Sequence, residues 1–394
     1  MKKVYLDNNS TTPILPEVRD AMLPFLGEAF GNPSCLHEWG DPPREAMETA
    51  RTQVADLIGA APEEIIFTGS GTESNNFSVK GLAMANQKKG KHVIVSAIEH
   101  FSVLNSAKTL EKMGYSYSEV PVDKYGGVDP ESVRKAIRDD TALVSIMHAN
   151  SEVGTLEPIK EIAKITREKG VIFHTDAVAT AGAIPINVKD LGVDALSLAG
   201  NMFYGPKGIG ALWLRKGVRI TPLLDGGIQE GGKRAGTENV PGIVGMGKAA
   251  ELAKAHMTVR VDHLTRLRDR MLDELPARIE HVMITGHRKN RLPGHASFCI
   301  EFIEGESMLM LLNSQGVAVT SGSACTSRAL LASHVLLAMG LPHEIAQGSL
   351  LFGLGMSNTN EDVDYVLDIL PPIVERLRQM SPLYSKFIKQ SKGG

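Results

Sequence analysis

The chain has 394 residues and a formal net charge of -3, enough for one large domain plus a smaller one and with no general attraction to nucleic acid or an anionic membrane. No apolar run approaches a spanning length, and Met1-Lys2-Lys3-Val4-Tyr5-Leu6 enters a strand-like segment without a signal-peptide pattern, so a cytoplasmic protein is expected. The three cysteines, Cys35, Cys299 and Cys325, are far apart and odd in number, which argues against a disulfide framework or a zinc knuckle.

In chain order, short apolar runs at residues 64–68, 92–96, 142–146, 171–175, 195–198 and 210–214 read as strands. Residues 73–88, 103–112, 130–138 and 159–169 between them read as helices. Strands that are apolar on both faces suit a parallel sheet covered on both sides, so the expected class is α/β. After about Gly247 the pattern changes. A long charged helix over 248–275 is expected to link two domains. Segments 296–302, 307–314 and 317–320 then read as a mix of helices and antiparallel strands, and a helix over 360–380 is expected to be stopped by Pro382.

Four segments carry candidate chemistry. Phe67-Thr68-Gly69-Ser70-Gly71-Thr72-Glu73-Ser74-Asn75 places a Gly/Ser/Thr-rich turn between a strand and a helix, which serves either as a phosphate cradle or as a plain capped turn. Asp176 ends an apolar strand, where it can hold a ring N–H or cap a helix. His100 follows another strand end, where an imidazole can stack on a planar ligand, move protons or serve as a structural hydrogen-bonding group. Cys325 sits in the small polar stretch Ser321-Gly322-Ser323-Ala324-Cys325-Thr326-Ser327, which suits an exposed reactive thiol, whereas Cys299 in an apolar strand reads as a buried small hydrophobe.

These pieces, in this order, resemble the cysteine desulfurases of the NifS/IscS type within the class V aminotransferases. The resemblance runs over essentially the whole chain. It includes Tyr5-Leu6-Asp7-Asn8-Asn9-Ser10-Thr11-Thr12, Gly31-Asn32-Pro33-Ser34, Glu99-His100, Glu152-Val153-Gly154-Thr155, Tyr204-Gly205-Pro206-Lys207-Gly208 and Arg234-Ala235-Gly236-Thr237. It implies the pyridoxal-phosphate (PLP) type I fold: a large domain over 15–260 with a mainly parallel seven-stranded sheet, and a smaller α+β domain formed by 1–14 and 261–394. It also implies a homodimer, and a reaction that moves sulfur from L-cysteine to the loop cysteine and on to an iron–sulfur scaffold protein. By residue, it implies that Gly71 and Thr72 hold the PLP phosphate, His100 stacks on the ring, Asp176 faces the pyridinium nitrogen, Thr237 reaches the phosphate of the neighbouring subunit and Cys325 carries the persulfide. Residues 377–384 resemble the part that docks the scaffold.

The same resemblance exposes departures. Met202 stands where the family carries its Schiff-base lysine, and a thioether cannot form an imine. Ala179, Ser151, Ala199 and Asn201 stand where it has a glutamine, an asparagine, a serine and a histidine around the cofactor. Leu351 stands where it has the arginine that holds the substrate carboxylate. Lys207 belongs to the neighbouring turn and does not inherit the lysine's role. The expectation is a family member in which PLP chemistry is lost or impaired while Cys325 remains a sulfur carrier, or a ligand to a [2Fe-2S] cluster shared with the scaffold. The alternatives are an active desulfurase with non-covalent PLP and a purely structural platform.

Overall fold

Strands form where the apolar runs fall. The computed structural model describes residues 2–322 and 332–392, so the Cys325 assignments lie outside the described residues. In chain order the strands are β1 (Val4–Tyr5), β2 (Ile65–Thr68), β3 (His92–Ser96), β4 (Ser116–Val120), β5 (Thr141–Ser145), β6 (Ile172–Asp176), β7 (Ala195–Ala199), β8 (Gly210–Leu214), β9 (Val282–Ile284), β10 (His295–Ile300), β11 (Val317–Ala318) and β12 (Ser349–Gly353). A seven-stranded sheet runs β2-β8-β7-β6-β5-β3-β4. Strands β4, β3, β5, β6 and β7 are mutually parallel, while β8 is antiparallel to both β7 and β2.

The two faces of this sheet fill separate cores, as the strand period of two requires. Ile94, Val144, Phe173 and Leu196 pack on one face with the helices Asp41–Ile58 and Val240–Ala255. Their neighbours Val93, Val95, Leu143 and Ala195 pack on the other with the helix Phe101–Lys112. A further core draws on Val4 and Leu6 and on residues from Leu264 to Val374, around the antiparallel sheet β12-β10-β9. Thus the N-terminal strand crosses to join the C-terminal third, where β1 pairs in parallel with β11.

The structure departs from the sequence expectations at several elements. The helix expected over 73–88 is Gly71–Asn76, a π-turn Phe77–Gly81 and Leu82–Ala85. A Cβ at Gly81 would lie 2.6 Å from the Thr221 carbonyl oxygen, so a neighbouring loop presses directly on the backbone there. The helix expected over 248–275 is two helices, Val240–Ala255 and Met257–Arg278, broken at His256 (φ -107, ψ 11). Segment 307–314 is a helix, Gly305–Ser314, and in 317–320 only Val317–Ala318 pairs in parallel with β1, before Thr320 bridges Leu351 antiparallel. Helix Asn360–Met380 ends before an extended Ser381. Pro382 then starts another helix, Pro382–Lys392, where its missing N–H and fixed φ suit a first turn.

Candidate active site

The carboxyl ends of β6 and β7, and the loops after β3 and β5, open onto a cavity of about 400 Å³. This is where ligands bind in a parallel α/β sheet. Gly71, Thr72, His100 and Asp176 all line it, so four positions spread over 105 residues of sequence meet in one place.

One part of the wall is the turn after β2. Ser70 caps the following helix by accepting from the Glu73 N–H (3.1 Å). Gly71 has no room for a side chain: a Cβ would lie 2.7 Å from Val178 Cγ2 and 3.1 Å from Ala199 Cβ. The Glu73 carboxylate accepts from the Gly69 N–H (2.7 Å) and pairs with Arg234 (2.8 Å). That pairing ties the Arg234–Thr237 loop to the turn, yet Thr237 itself is exposed and does not line the cavity.

Asp176 lines the same cavity. It is 5 % exposed and accepts from the Val178 N–H (2.9 Å) and from Asn75 Nδ2 (2.6 Å). Burial raises its pKa above the ordinary aspartate value, while these donors and the nearby His100 act in the opposite direction. Asn75 also donates to Ser102 Oγ (2.9 Å), and Ser102 Oγ lies 2.7 Å from His100 Nδ1. His100 Nδ1 accepts the Ser102 N–H as the cap of helix Phe101–Lys112, which leaves the proton on Nε2. A hydrogen-bonded chain thus runs His100–Ser102–Asn75–Asp176. Sequence reasoning missed Asn75 and Ser102 as links; Asn75 lies inside a motif it had singled out and Ser102 two residues beyond one, but nothing local shows that they touch.

It also missed Glu152. This carboxyl lines the cavity, is half-buried and is pushed up to about 7 by desolvation, with a hydrogen bond from Ser333 pulling the other way. A Cβ on Gly322 would fall 1.9 Å from Glu152 Oε1, so the carboxyl bears on both described flanks of residues 323–331. Behind it Glu99 is buried and pushed up to about 8 by desolvation, although it accepts from Ser96 Oγ and the Met147 N–H. Cys299 is fully buried and burial pushes its thiol up to about 12. It packs as the small hydrophobe expected.

The cavity is also lined by Ala179, Ala199, Ser151, Asn201, Met202 and Leu351. Met202 ends a short 3-10 turn, Gly200–Met202, which Thr12 pins by donating to the Asn201 carbonyl through both its N–H and its hydroxyl (2.9 Å each). Lys207 is exposed on the following turn and does not line the cavity. Among the described lining residues the ionisable groups are His100, Glu152 and Asp176; none is lysine or arginine.

The profile of the family "Aminotransferase class-V" matches residues 4–366, and the chain belongs to that family. Within it the chain is 53% identical to the cysteine desulfurase IscS of Dictyoglomus turgidum, over 97% of each chain. It is also 53% identical to that of Methanosarcina thermophila, over 98% of this chain and 95% of the other. Among solved structures it is similar to a NifS-like protein (TM-score 0.90, 38% identity, 95% of this chain and 100% of the other). It is likewise similar to a NifS-like protein from Rickettsia africae (TM-score 0.85, 32% identity, 95% and 100%). The fold is the α/β PLP type I fold of those structures.

The family implies PLP, and the cavity fits that group only in part. Asp176 suits a ring N–H, and the turn at Gly71 and Thr72 suits an anionic end. No described lining residue supplies the amine for a covalent anchor or a cation for a carboxylate. The residues present therefore do not fit a lysine-anchored PLP.

Proposed function

We propose that this chain is a cysteine-desulfurase-family protein of iron–sulfur cluster assembly that works through Cys325, with the usual PLP-dependent removal of sulfur from L-cysteine lost or impaired. The observation that supports this most is Met202 in a cavity whose described walls hold no amine. An imine requires a primary amine, and a substrate carboxylate in a dry site requires a charge-assisted donor. Leu351, 3 % exposed in β12, offers neither. A lost charge-assisted hydrogen bond alone costs about 1.5–3 kcal/mol.

In this reading the Cys325 thiolate takes sulfur from a persulfide made elsewhere: a thiolate leaves the donor as the new S–S bond forms. Alternatively the thiolate ligates a [2Fe-2S] cluster held mainly by a scaffold protein docked near 377–384. The chain works as a cytoplasmic homodimer, and Thr237, exposed here, serves the partner subunit's cavity. The division into a large domain over 15–260 and a small one formed by 1–14 and 261–394 accords with the separate core built from Val4, Leu6 and residues 264–374.

A second reading is an active desulfurase with non-covalent PLP. The intact Asp176–Asn75–Ser102–His100 chain favours it, because that chain would orient a ring and hold its proton. PLP, when bound, supplies a carbonyl and an electron sink; His100 Nε2 is one proton-bearing group of this chain placed at the cavity. The test mixes the full chain, a scaffold protein, iron and sulfide. Cluster absorption in a stable complex that falls severalfold with Cys325→Ser is expected. Complex and cluster indifferent to Cys325→Ser would refute the proposed role and leave only a structural platform.

A further inference from the structure

Beside the main cavity lies a smaller one of about 50 Å³, and Asn9, Ala179 and Met202 are walls of both. Arg260 and His295 line the smaller one. Arg260 is 3 % exposed. Its Nη1 donates to the Gly182 carbonyl (2.8 Å) and its face lies 4.8 Å from the Tyr204 ring. Its Nε and Nη2 are buried without a partner, and among the described residues no carboxylate pairs with it. Proteins rarely leave a guanidinium buried, charged and half-bonded.

His295 is 9 % exposed, and its ring bonds to the Ser151 carbonyl. That bond needs the proton on Nδ1, so Nε2 is a bare acceptor, and it too is buried without a partner. Burial pushes His295 down to about 3, so it is neutral in the ordinary pH range. Asn9 Oδ1 is a third buried acceptor in the same wall.

These groups together specify an occupant. It must be small, bring negative charge, accept N–H groups from Arg260 and donate a hydrogen to Nε2. An ionised carboxylate or sulfate accepts N–H groups but has no hydrogen to give Nε2. A halide accepts but donates nothing. Water makes the hydrogen bonds but leaves the charge uncompensated. We propose that Arg260 and His295 form a binding site for a small, proton-bearing monoanion such as hydrosulfide, separated from the main cavity by Met202. Its link to sulfur transfer rests on the function proposed above; occupancy of the site does not.

The test uses the full chain under anaerobic, mildly alkaline conditions at fixed ionic strength. Thermal unfolding is followed with sodium hydrosulfide, sodium bromide or sodium gluconate. A ligand that binds only the native state raises Tm saturably. Hydrosulfide is expected to raise it by a few degrees, bromide by less and gluconate not at all. Crystals grown in bromide should show an anomalous peak between Arg260 and His295. Arg260→Gln should abolish the hydrosulfide response; if that variant does not fold, the bromide peak in the native protein still tests the site. An ordinary water with no anomalous signal and no anion-selective Tm shift overturns the proposal, as does an undiminished response in Arg260→Gln. Alanine release from L-cysteine, followed in parallel, separates the two claims: anion binding with turnover sinks the proposed function and leaves this site standing.

Discussion

Single atoms decide most of the chemistry here. Met202→Lys returns the amine to the cavity wall, and the expected outcome is a PLP absorption band that survives gel filtration, with no such band expected of the native chain. Turnover should rise further only when Leu351→Arg is added, because the substrate carboxylate otherwise has no cation among the described walls. Full desulfurase activity from Met202→Lys alone would show that the carboxylate finds another partner. Gly71 supplies a stability test. A methyl group there meets Val178 and Ala199 at 2.7 and 3.1 Å, so Gly71→Ala should cost about 1–3 kcal/mol by overpacking. Urea unfolding checks this, and an unchanged midpoint would mean that β6 and β7 yield more easily than packed strands do. The positions lining the cavity could largely be read from the sequence, because Asp176 and Ala199 sit at the ends of short, mostly apolar runs. Asn75, Ser102, Glu152, Arg260 and His295 could not be read as partners, because each depends on contacts between segments far apart in the chain.

At the scale of elements, the buried strands of the seven-stranded sheet announced themselves, and the one missed there shows why. β4 has a half-exposed pattern at the sheet edge, with Ser116, Ser118 and Glu119 among its five residues, so no apolar run marks it. The helix break at His256 is equally silent, since nothing in the local propensities forbids a continuous helix. Pro382 signalled a boundary correctly but gave no sign of the helix beyond it. Helix Pro382–Lys392 is held by tertiary contacts: Phe387 stacks on Phe302 at 4.7 Å, and Arg378 lies 5.6 Å from the Tyr384 ring while donating to the Glu280 carbonyl. Phe387→Ala removes an aromatic pair worth about 0.5–1.5 kcal/mol. Amide exchange across 382–392 should therefore quicken roughly tenfold while β5 and β6 are unaffected. Equal exchange in both proteins would show that the helix is held by something other than this aromatic contact.

The whole molecule carries an unusual load of buried titratable groups, and they set its pH profile. Burial pushes Glu99 and Glu157 up to about 8 and Glu152 up to about 7. Burial also pushes His174 and His295 down to about 3, and His92 and His148 down to about 4. For the carboxyls the folded state holds protons that the unfolded chain has released, so their stabilisation is complete below about pH 4.5 and is lost as pH rises through 7 to 8. For the histidines the unfolded chain binds protons first, so stability falls as pH drops below about 6.5. Tm should therefore peak at mildly acidic pH and decline on both sides. Glu99→Gln should flatten the alkaline limb, and a Tm that keeps rising to pH 8 in the native chain would contradict the assignment.

Fold and family are set by the pattern of the whole chain, whereas activity turns on one cavity wall. The most direct test of that wall is alanine formation from L-cysteine by the purified full-length protein with excess PLP and a thiol reductant. No alanine beyond the protein-free control is expected. Sustained turnover of many alanines per chain, abolished by Asp176→Ala, would contradict the claim that Met202 marks a site without its usual chemistry.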